Sequence, residues 1–280
     1  MGKRCVQFSK YNPSGNMTVL VHSKHAKSEY ATIANQIMAT THIHCEQVGF
    51  IESIDPQHFH LVMSGNEFCG NAAISFMHYL KQHDFIDHSD MLGEANSVPL
   101  QMQISGRSDL VTCEMHRDGY YAVSMPQPKY IKQAQLTLDG QIFYITKIVY
   151  ESYLHVVIPV ERITAQLQKE IERFVQTTRW DKGFKTIGVM LFNRETQYLT
   201  PLIYLPEVQS MIWENSCGSG AASIGIFENI HNAPSCEGYK VYQPGGHIVV
   251  TSQYHAQTQT YRATIKGKVS TVATGTAYIE

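Results

Sequence analysis

No stretch of the 280-residue sequence approaches the roughly 18 consecutive apolar residues of a membrane span. The opening MGKRCVQFSKYN carries positive charge without the apolar run of a secretory signal. A cytoplasmic protein with no membrane partner is the expectation. An excess of one charge is missing too: 22 basic side chains face 24 acidic ones, which leaves no electrostatic footprint for nucleic acid. Small-molecule chemistry is therefore expected. The ligand spacings CxxC and HxxxH do not occur, which argues against a structural zinc site, and no metal is expected. Six cysteines are present, but a chain this long without a secretory signal needs no disulfide framework, so thiols are the default. What the sequence does have is 43% hydrophobic residues, enough to fill the core of one large domain or two ordinary ones.

The apolar pattern repeats. In the first half, strand-like runs at Val6 to Phe8 and Thr18 to His22 precede a helical spacing of Tyr30, Ile33, Ala34, Ile37 and Met38, with Ser28 as its expected cap. Strands at Val48 to Ile51 and Phe59 to Met63 follow. Then comes CGNAAISFMHYL, in which Ala73, Phe76, Met77 and Leu80 keep helical spacing and Ile74 lies on another face, as in a helix buried nearly all round. The second half keeps this order: the strand-like IVYESYLHVVI, a helix with Ile163, Leu167, Ile171, Phe174 and Val175 on one face, strands near Ile187 to Phe192 and Leu199 to Leu205, then CGSGAASIGIF. Between the copies, Pro126 and Pro128 in MPQPKY interrupt regular structure. The pattern predicts domains at 1–125 and 126–268. The strand-like Val269 to Ile279 is surplus to the second copy and is expected to return to the first.

Aligned on cysteine, the two copies read Cys69, Gly70, Asn71, Ala72, Ala73, Ile74, Ser75 and Cys217, Gly218, Ser219, Gly220, Ala221, Ala222, Ser223, a shared C-G-x-x-A-x-S. Each cysteine falls at the start of an apolar helix, where unpaired N–H groups and the positive dipole end favour a negative charge. A thiol with a pKa of about 8.5 is ~3% ionised at neutral pH, and lowering it by about one unit makes that roughly a quarter. The backbone of Gly70, Asn71, Gly218 and Ser219 could hold a carboxylate without an arginine. A lone cysteine beside glycine is most often a packing residue; two in matching contexts are harder to explain that way. GSGAAS also invites a dinucleotide-binding reading, but Ser223 stands where the third glycine belongs and alternating βα units are lacking.

These motifs resemble those of the diaminopimelate epimerase family, over nearly the whole chain. Beyond the cysteines the resemblance includes Asn16 in NPSGNMTVLV, Gln47 in CEQVGF and His155 in YLHVVIP. It implies an α+β fold of two similar pseudo-symmetric domains, each a curled, mostly antiparallel sheet around a central helix. It further implies a returning last strand (269–280), an active site in the cleft between the domains, no cofactor and a homodimer. The family pattern is broken at the distal end of the substrate: Ser64, Tyr153 and Gly188 replace asparagines, and EVQS (Glu207 to Ser210) stands where a Glu-Arg pair belongs. Losing an arginine that forks onto a carboxylate is not conservative, so the distal group of the substrate should differ. The segments FSKYNPSGNMTVLVHSKH, VMSGNEFCGN, PEVQSMIWENSCGSG and TVATGTAYIE are similar to histidine racemases that supply an opine-type metallophore, which implies L-histidine as substrate.

The expected chemistry is two-base racemisation: one of Cys69 and Cys217 takes the α-proton as thiolate and the other, as thiol, returns one to the opposite face. The resemblance places Asn16 and Gln47 near the substrate core. Glu46 and Glu214 are candidate partners for the ammonium or imidazole, and Tyr153 is a candidate wall for the ring. Three other readings compete, the first being an epimerase or racemase of another amino acid such as diaminopimelate. A cysteine hydrolase with Cys217 as nucleophile and His155 as base leaves Cys69 unexplained, and a module that only binds an amino acid would leave its configuration unchanged.

Overall fold

The computed structural model describes residues 4–86, 96–181, 183–232 and 235–280. In chain order, the first half gives β1 (Arg4–Pro13), β2 (Thr18–Val21), α1 (Tyr30–Met38), β3 (Gln47–Asp55), β4 (His58–Met63), α2 (Gly70–Gln82), β5 (Ser97–Ile104), β6 (Val111–His116) and β7 (Tyr120–Ser124). The second gives β8 (Tyr130–Leu138), β9 (Gln141–Val149), β10 (Tyr153–Pro159), α3 (Ala165–Thr177), β11 (Thr186–Asn193), β12 (Tyr198–Leu205) and β13 (Ser210–Trp213). It continues with α4 (Gly218–His231), β14 (Ser235–Gln243), β15 (Gly246–His255) and the long β16 (Thr260–Ile279). Two units result, Met1–Ser124 with Lys266–Glu280 and Met125–Ile265.

Within the first unit the strands run in the order β1 to β7, and β16 lies beside both β1 and β7. Most pairs are antiparallel; β2 with β3 and β4 with β5 are parallel, because a helix intervenes and carries the chain back. In the second unit β10 and β11 are parallel across α3, and β12 and β14 across α4, with antiparallel hairpins between. The order strand, helix, parallel strand, hairpin, helix, parallel strand, hairpin therefore occurs twice, which is the duplication the apolar pattern expresses.

Each copy has one amphipathic helix on the outside of its sheet and one buried helix. Tyr30, Ile33, Ala34 and Ile37 of α1 are buried against Val6, Phe8, Val19, Val21, Val48 and Phe50, and Ala277 and Ile279 of β16 complete that core. Tyr30 lies flat on Phe50 at 3.6 Å between ring centroids. In α3, Ile171 and Val175 are buried against Leu154, Val156, Val189, Leu191 and Leu202. By contrast Gly70 to Met77 of α2 and Ala221 to Asn229 of α4 are buried without interruption, as their lack of a polar face requires.

Three local expectations change. Ser28 does not cap α1: Lys27–Glu29 form a 3-10 turn, the Glu29 carboxylate reaches back to the Ala26 N–H at 3.1 Å, and Glu29 itself precedes the helix. Ile163 lies outside α3, whose cap is Thr164, accepting from the Leu167 N–H at 3.1 Å; Ile163 still packs on the same core. The returning strand starts at Thr260, not Val269, and its residues 269–279 are the ones paired with β1.

Candidate active site

Cys69 and Cys217 are each the N-cap residue of a buried helix. Their backbones are extended and nearly identical, φ −130°, ψ 113° for Cys69 and φ −119°, ψ 110° for Cys217. Each sulfur accepts from an N–H of the first turn: Ala72 to Cys69 Sγ at 3.4 Å and Gly220 to Cys217 Sγ at 3.2 Å. An N-cap side chain with an acceptor atom satisfies one of the orphan N–H groups there, and sulfur in that place is held beside the positive end of the helix. All six cysteines are thiols. Among the described residues no cluster of His, Cys, Asp and Glu is arranged to hold a metal.

Around Cys69, the chain leading into the helix is held from β5. Ser105 donates to the Glu67 carbonyl at 2.7 Å and accepts from the Met63 N–H at 2.8 Å. Gly106, at φ +76°, brings its Cα so close that a Cβ would stand 2.2 Å from the Phe68 nitrogen, so only glycine fits. Gly70 and Asn71 are buried in the first turn of α2. Asn16 is buried in the β1–β2 turn, where its carbonyl accepts from the Thr18 hydroxyl. Glu46 and Gln47 are half-buried at the start of β3, their N–H groups both on the Met17 carbonyl. Ser64, half-buried at the end of β4, donates its N–H to the Val48 carbonyl at 3.0 Å.

Cys217 is buried more deeply. Its N–H donates to Gln243 Oε1 at 2.7 Å, and its Sγ lies 3.4 Å from Ser219 Oγ. Gly218 is buried beneath it and Ser219 is half-buried. Burial pushes the Cys217 thiol up, and the nearby Glu214 carboxylate, which also hydrogen-bonds it, pushes further in the same direction; the Ser219 hydroxyl and the Gly220 N–H work against them. The helix start therefore does not win here: desolvation dominates, and Cys217 is held as a neutral thiol, contrary to the lowered pKa expected from its position alone.

The floor under this thiol is Met190, fully buried between two glycines. A Cβ on Gly220 would lie 2.7 Å from Met190 Sδ, and one on Gly188 would lie 2.5 Å from Met190 Cε and 2.6 Å from His155 Cδ2. An asparagine at 188 has no room in this packing. His155 is itself 1% exposed and engaged: its Nδ1 is 2.7 Å from Ser223 Oγ, which also bonds the Tyr150 hydroxyl at 2.7 Å. Burial pushes His155 down to about 3, far from the value near neutrality that suits a general base, which removes the physical basis for a Cys217–His155 hydrolase. Tyr153 is half-buried and stacks on Tyr150 with centroids 4.2 Å apart. Met190, Tyr150 and Gln243 are missing from the sequence reading, where nothing in their spacing separates them from core residues, and Ser223 enters it only as the serine of the shared motif.

Surface cavities of about 630 Å³ and 500 Å³ lie in the second unit, and neither is lined by a cysteine. Among the described residues no helix is long and apolar enough to cross a membrane.

Solved structures with this fold include a PhzF-family phenazine biosynthesis protein of Bacillus anthracis, with TM-score 0.68 and 12% identity, covering 98% of this chain and 99% of that one. A hydroxyproline epimerase from Agrobacterium vitis gives TM-score 0.66 and 11% identity, covering 99% and 93%. The fold is thus that of the proline racemase and PhzF proteins, two pseudo-symmetric α+β halves. The sequence profile of the Histidine racemase CntK N-terminal domain family matches residues 5–278. A histidine racemase of Staphylococcus aureus is 50% identical over 283 residues, covering 100% of both chains, and one of Fusobacterium nucleatum is 26% identical over 281 residues, covering 98% and 97%. The chain belongs to the histidine racemase family, and is an isomerase. Specific support for the diaminopimelate epimerases, which its motifs resemble, is not found; the crowding at Gly188 is one physical reason for the departure.

Proposed function

We propose that this protein interconverts L- and D-histidine by proton transfer at the α-carbon, with Cys69 and Cys217 as the two acid–base groups and no cofactor. The observation that carries the reading is the matched placement of the thiols: each caps a buried helix in its own unit, with the same backbone conformation and a first-turn N–H on its sulfur. Family membership and the identity to the Staphylococcus aureus protein support histidine as the substrate.

One cysteine, as thiolate, takes the α-hydrogen as a proton, and the electron pair left on carbon delocalises into the carboxylate as an enediolate. The other, as thiol, gives its proton to the opposite face of the carbon. The first ends as thiol and the second as thiolate, so reaction in one direction prepares the protein for the other. The raised pKa of Cys217 makes it the proton-bearing partner at rest. Acid–base catalysis contributes about 10²–10⁴-fold. The α-proton is a much weaker acid than a thiol, so the N–H groups of Gly70, Asn71, Gly218 and Ser219 are assigned to the developing enediolate. Asn16, Gln47 and Ser64 are assigned to orient the amino acid, Glu46 and Glu214 to its cationic groups, and Tyr153, beside the buried His155, to the imidazole.

The reading extends to a cytoplasmic homodimer whose D-histidine feeds an opine-type metallophore. Light scattering of the purified chain tests the dimer. Chiral chromatography against a panel of L-amino acids tests the activity: D-histidine should form fastest, and Cys69→Ser and Cys217→Ser should each slow it by about 10²-fold or more with unchanged circular dichroism. Near wild-type rates in both variants contradict the two-thiol mechanism.

A further inference from the structure

Gln243 is the last residue of β14, and it is 3% exposed. Its amide is oriented without ambiguity. The Cys217 N–H can only donate, so the group it meets at 2.7 Å must be the amide oxygen, and the NH₂ must face elsewhere. That NH₂ is buried and meets no acceptor among the described residues. A buried amide donor left unmatched is costly, and native proteins keep one only where something else satisfies it. Since Oε1 and Nε2 share one carbon, the NH₂ sits beside the same helix start that carries the catalytic sulfur.

The turn that carries Gln243 also fixes the approach to Cys217. Gly245 donates its N–H to the Asn215 carbonyl at 2.8 Å, so residues 243–245 grip the chain on both sides of Ser216. The equivalent β5–β6 turn grips the approach to Cys69 through Ser105, whose hydroxyl is used on both sides, as donor to Glu67 and acceptor from Met63. The two turns hold their loops alike; the second leaves a donor over.

We propose that Gln243 both positions Cys217, through Oε1, and binds the α-carboxylate of the amino acid, through Nε2. The carboxylate is the acceptor that fits: it is anionic, it arrives only with substrate, and the free N–H groups of the α4 start already favour it there. This rests on the racemase reading above, and it adds a side-chain donor to a carboxylate cradle otherwise made of backbone N–H groups.

The test compares the wild type with Gln243→Glu and Gln243→Met for racemisation of L-histidine from about pH 6 to about pH 9, a span that covers the ionisation of ordinary thiols. Gln243→Glu keeps an acceptor for the Cys217 N–H, but once ionised it has no donor. KM should rise about tenfold to a hundredfold, the effect of losing a hydrogen bond to a charged group. The deficit should shrink as pH falls and the introduced carboxyl regains a proton to donate. Gln243→Met lacks both atoms, and should lose kcat as well as KM. If either folded variant keeps the wild-type KM, carboxylate binding by Nε2 is wrong. A deficit in Gln243→Glu that ignores pH and follows only a lowered melting temperature makes the residue structural and overturns the proposal. Should Gln243→Glu not fold, Gln243→Met decides by its KM. A wild type that does not racemise histidine overturns the racemase reading itself, which the wild-type arm detects without reference to Gln243.

Discussion

Gly220→Ala tests how tightly the Cys217 thiol is seated. The added methyl would lie 2.7 Å from Met190 Sδ and 3.2 Å from both Met190 Cε and Cys217 Sγ. Non-bonded heavy atoms settle at about 3.5–4.0 Å, so Met190 must withdraw by about 1 Å. Its far end is flexible, but it is fully buried and its methyl is hemmed in at Gly188. Overpacking of this kind costs about 1–3 kcal/mol, and exchanging glycine for alanine in a helix returns about 1 kcal/mol. The net loss, from near zero to about 2 kcal/mol, corresponds to a melting temperature lowered by up to about 8 °C at roughly 2–4 °C per kcal/mol. Activity should fall further than stability, by about tenfold to a hundredfold in kcat, because the methyl also displaces the Cys217 sulfur to which proton transfer is assigned in the proposed mechanism. Removing the obstruction is the control: Gly220→Ala in a Met190→Ala background fills part of the cavity left there, so the double variant should lose less stability than the sum of the singles. Differential scanning fluorimetry and racemisation rates measure both quantities. A Gly220→Ala protein that melts higher than wild type and keeps its kcat refutes the close seating of the thiol.

Two further outcomes follow from the titrating groups. His155 is held neutral down to about 3 against an ordinary value of 6.5, so between those limits the unfolded chain binds a proton that the folded one does not. Stability should therefore be fully present above about pH 6.5 and decline as pH falls toward 3, and His155→Gln should flatten that slope in pH-dependent melting curves. The carboxylate of Glu214 helps hold the Cys217 thiol up, so Glu214→Gln should lower its pKa and speed alkylation of Cys217 at a given pH, read by peptide mass spectrometry. Unchanged alkylation would mean that burial alone sets the thiol.

The duplication and both cysteine caps were legible in the sequence because each rests on local rules: apolar spacing at two periods, a prolyl break at Pro126 and Pro128, and small residues that open a helix with no polar face. The helix starts around Ser28 and Ile163 were misplaced because side-chain hydrogen bonds decide them, Glu29 to the Ala26 N–H in one case and Thr164 to the Leu167 N–H in the other. The setting of the thiol was not legible at all. Met190, Tyr150 and Gln243 come from β11, the β9–β10 turn and β14, and only the pairing of strands brings them to Cys217. The same holds for the charge state: the helix start argues for a thiolate, and the burial that reverses it at Cys217 is a tertiary property.

The central claim, that two thiols act on opposite faces of one carbon, is tested most directly by racemising L-histidine in deuterium oxide and stopping early. A thiol that returns a solvent-exchanged proton should leave every D-histidine molecule carrying deuterium at Cα while the remaining L-histidine keeps its original hydrogen. D-histidine that retains the original hydrogen would show one group removing and returning the same proton, and would contradict the two-thiol account.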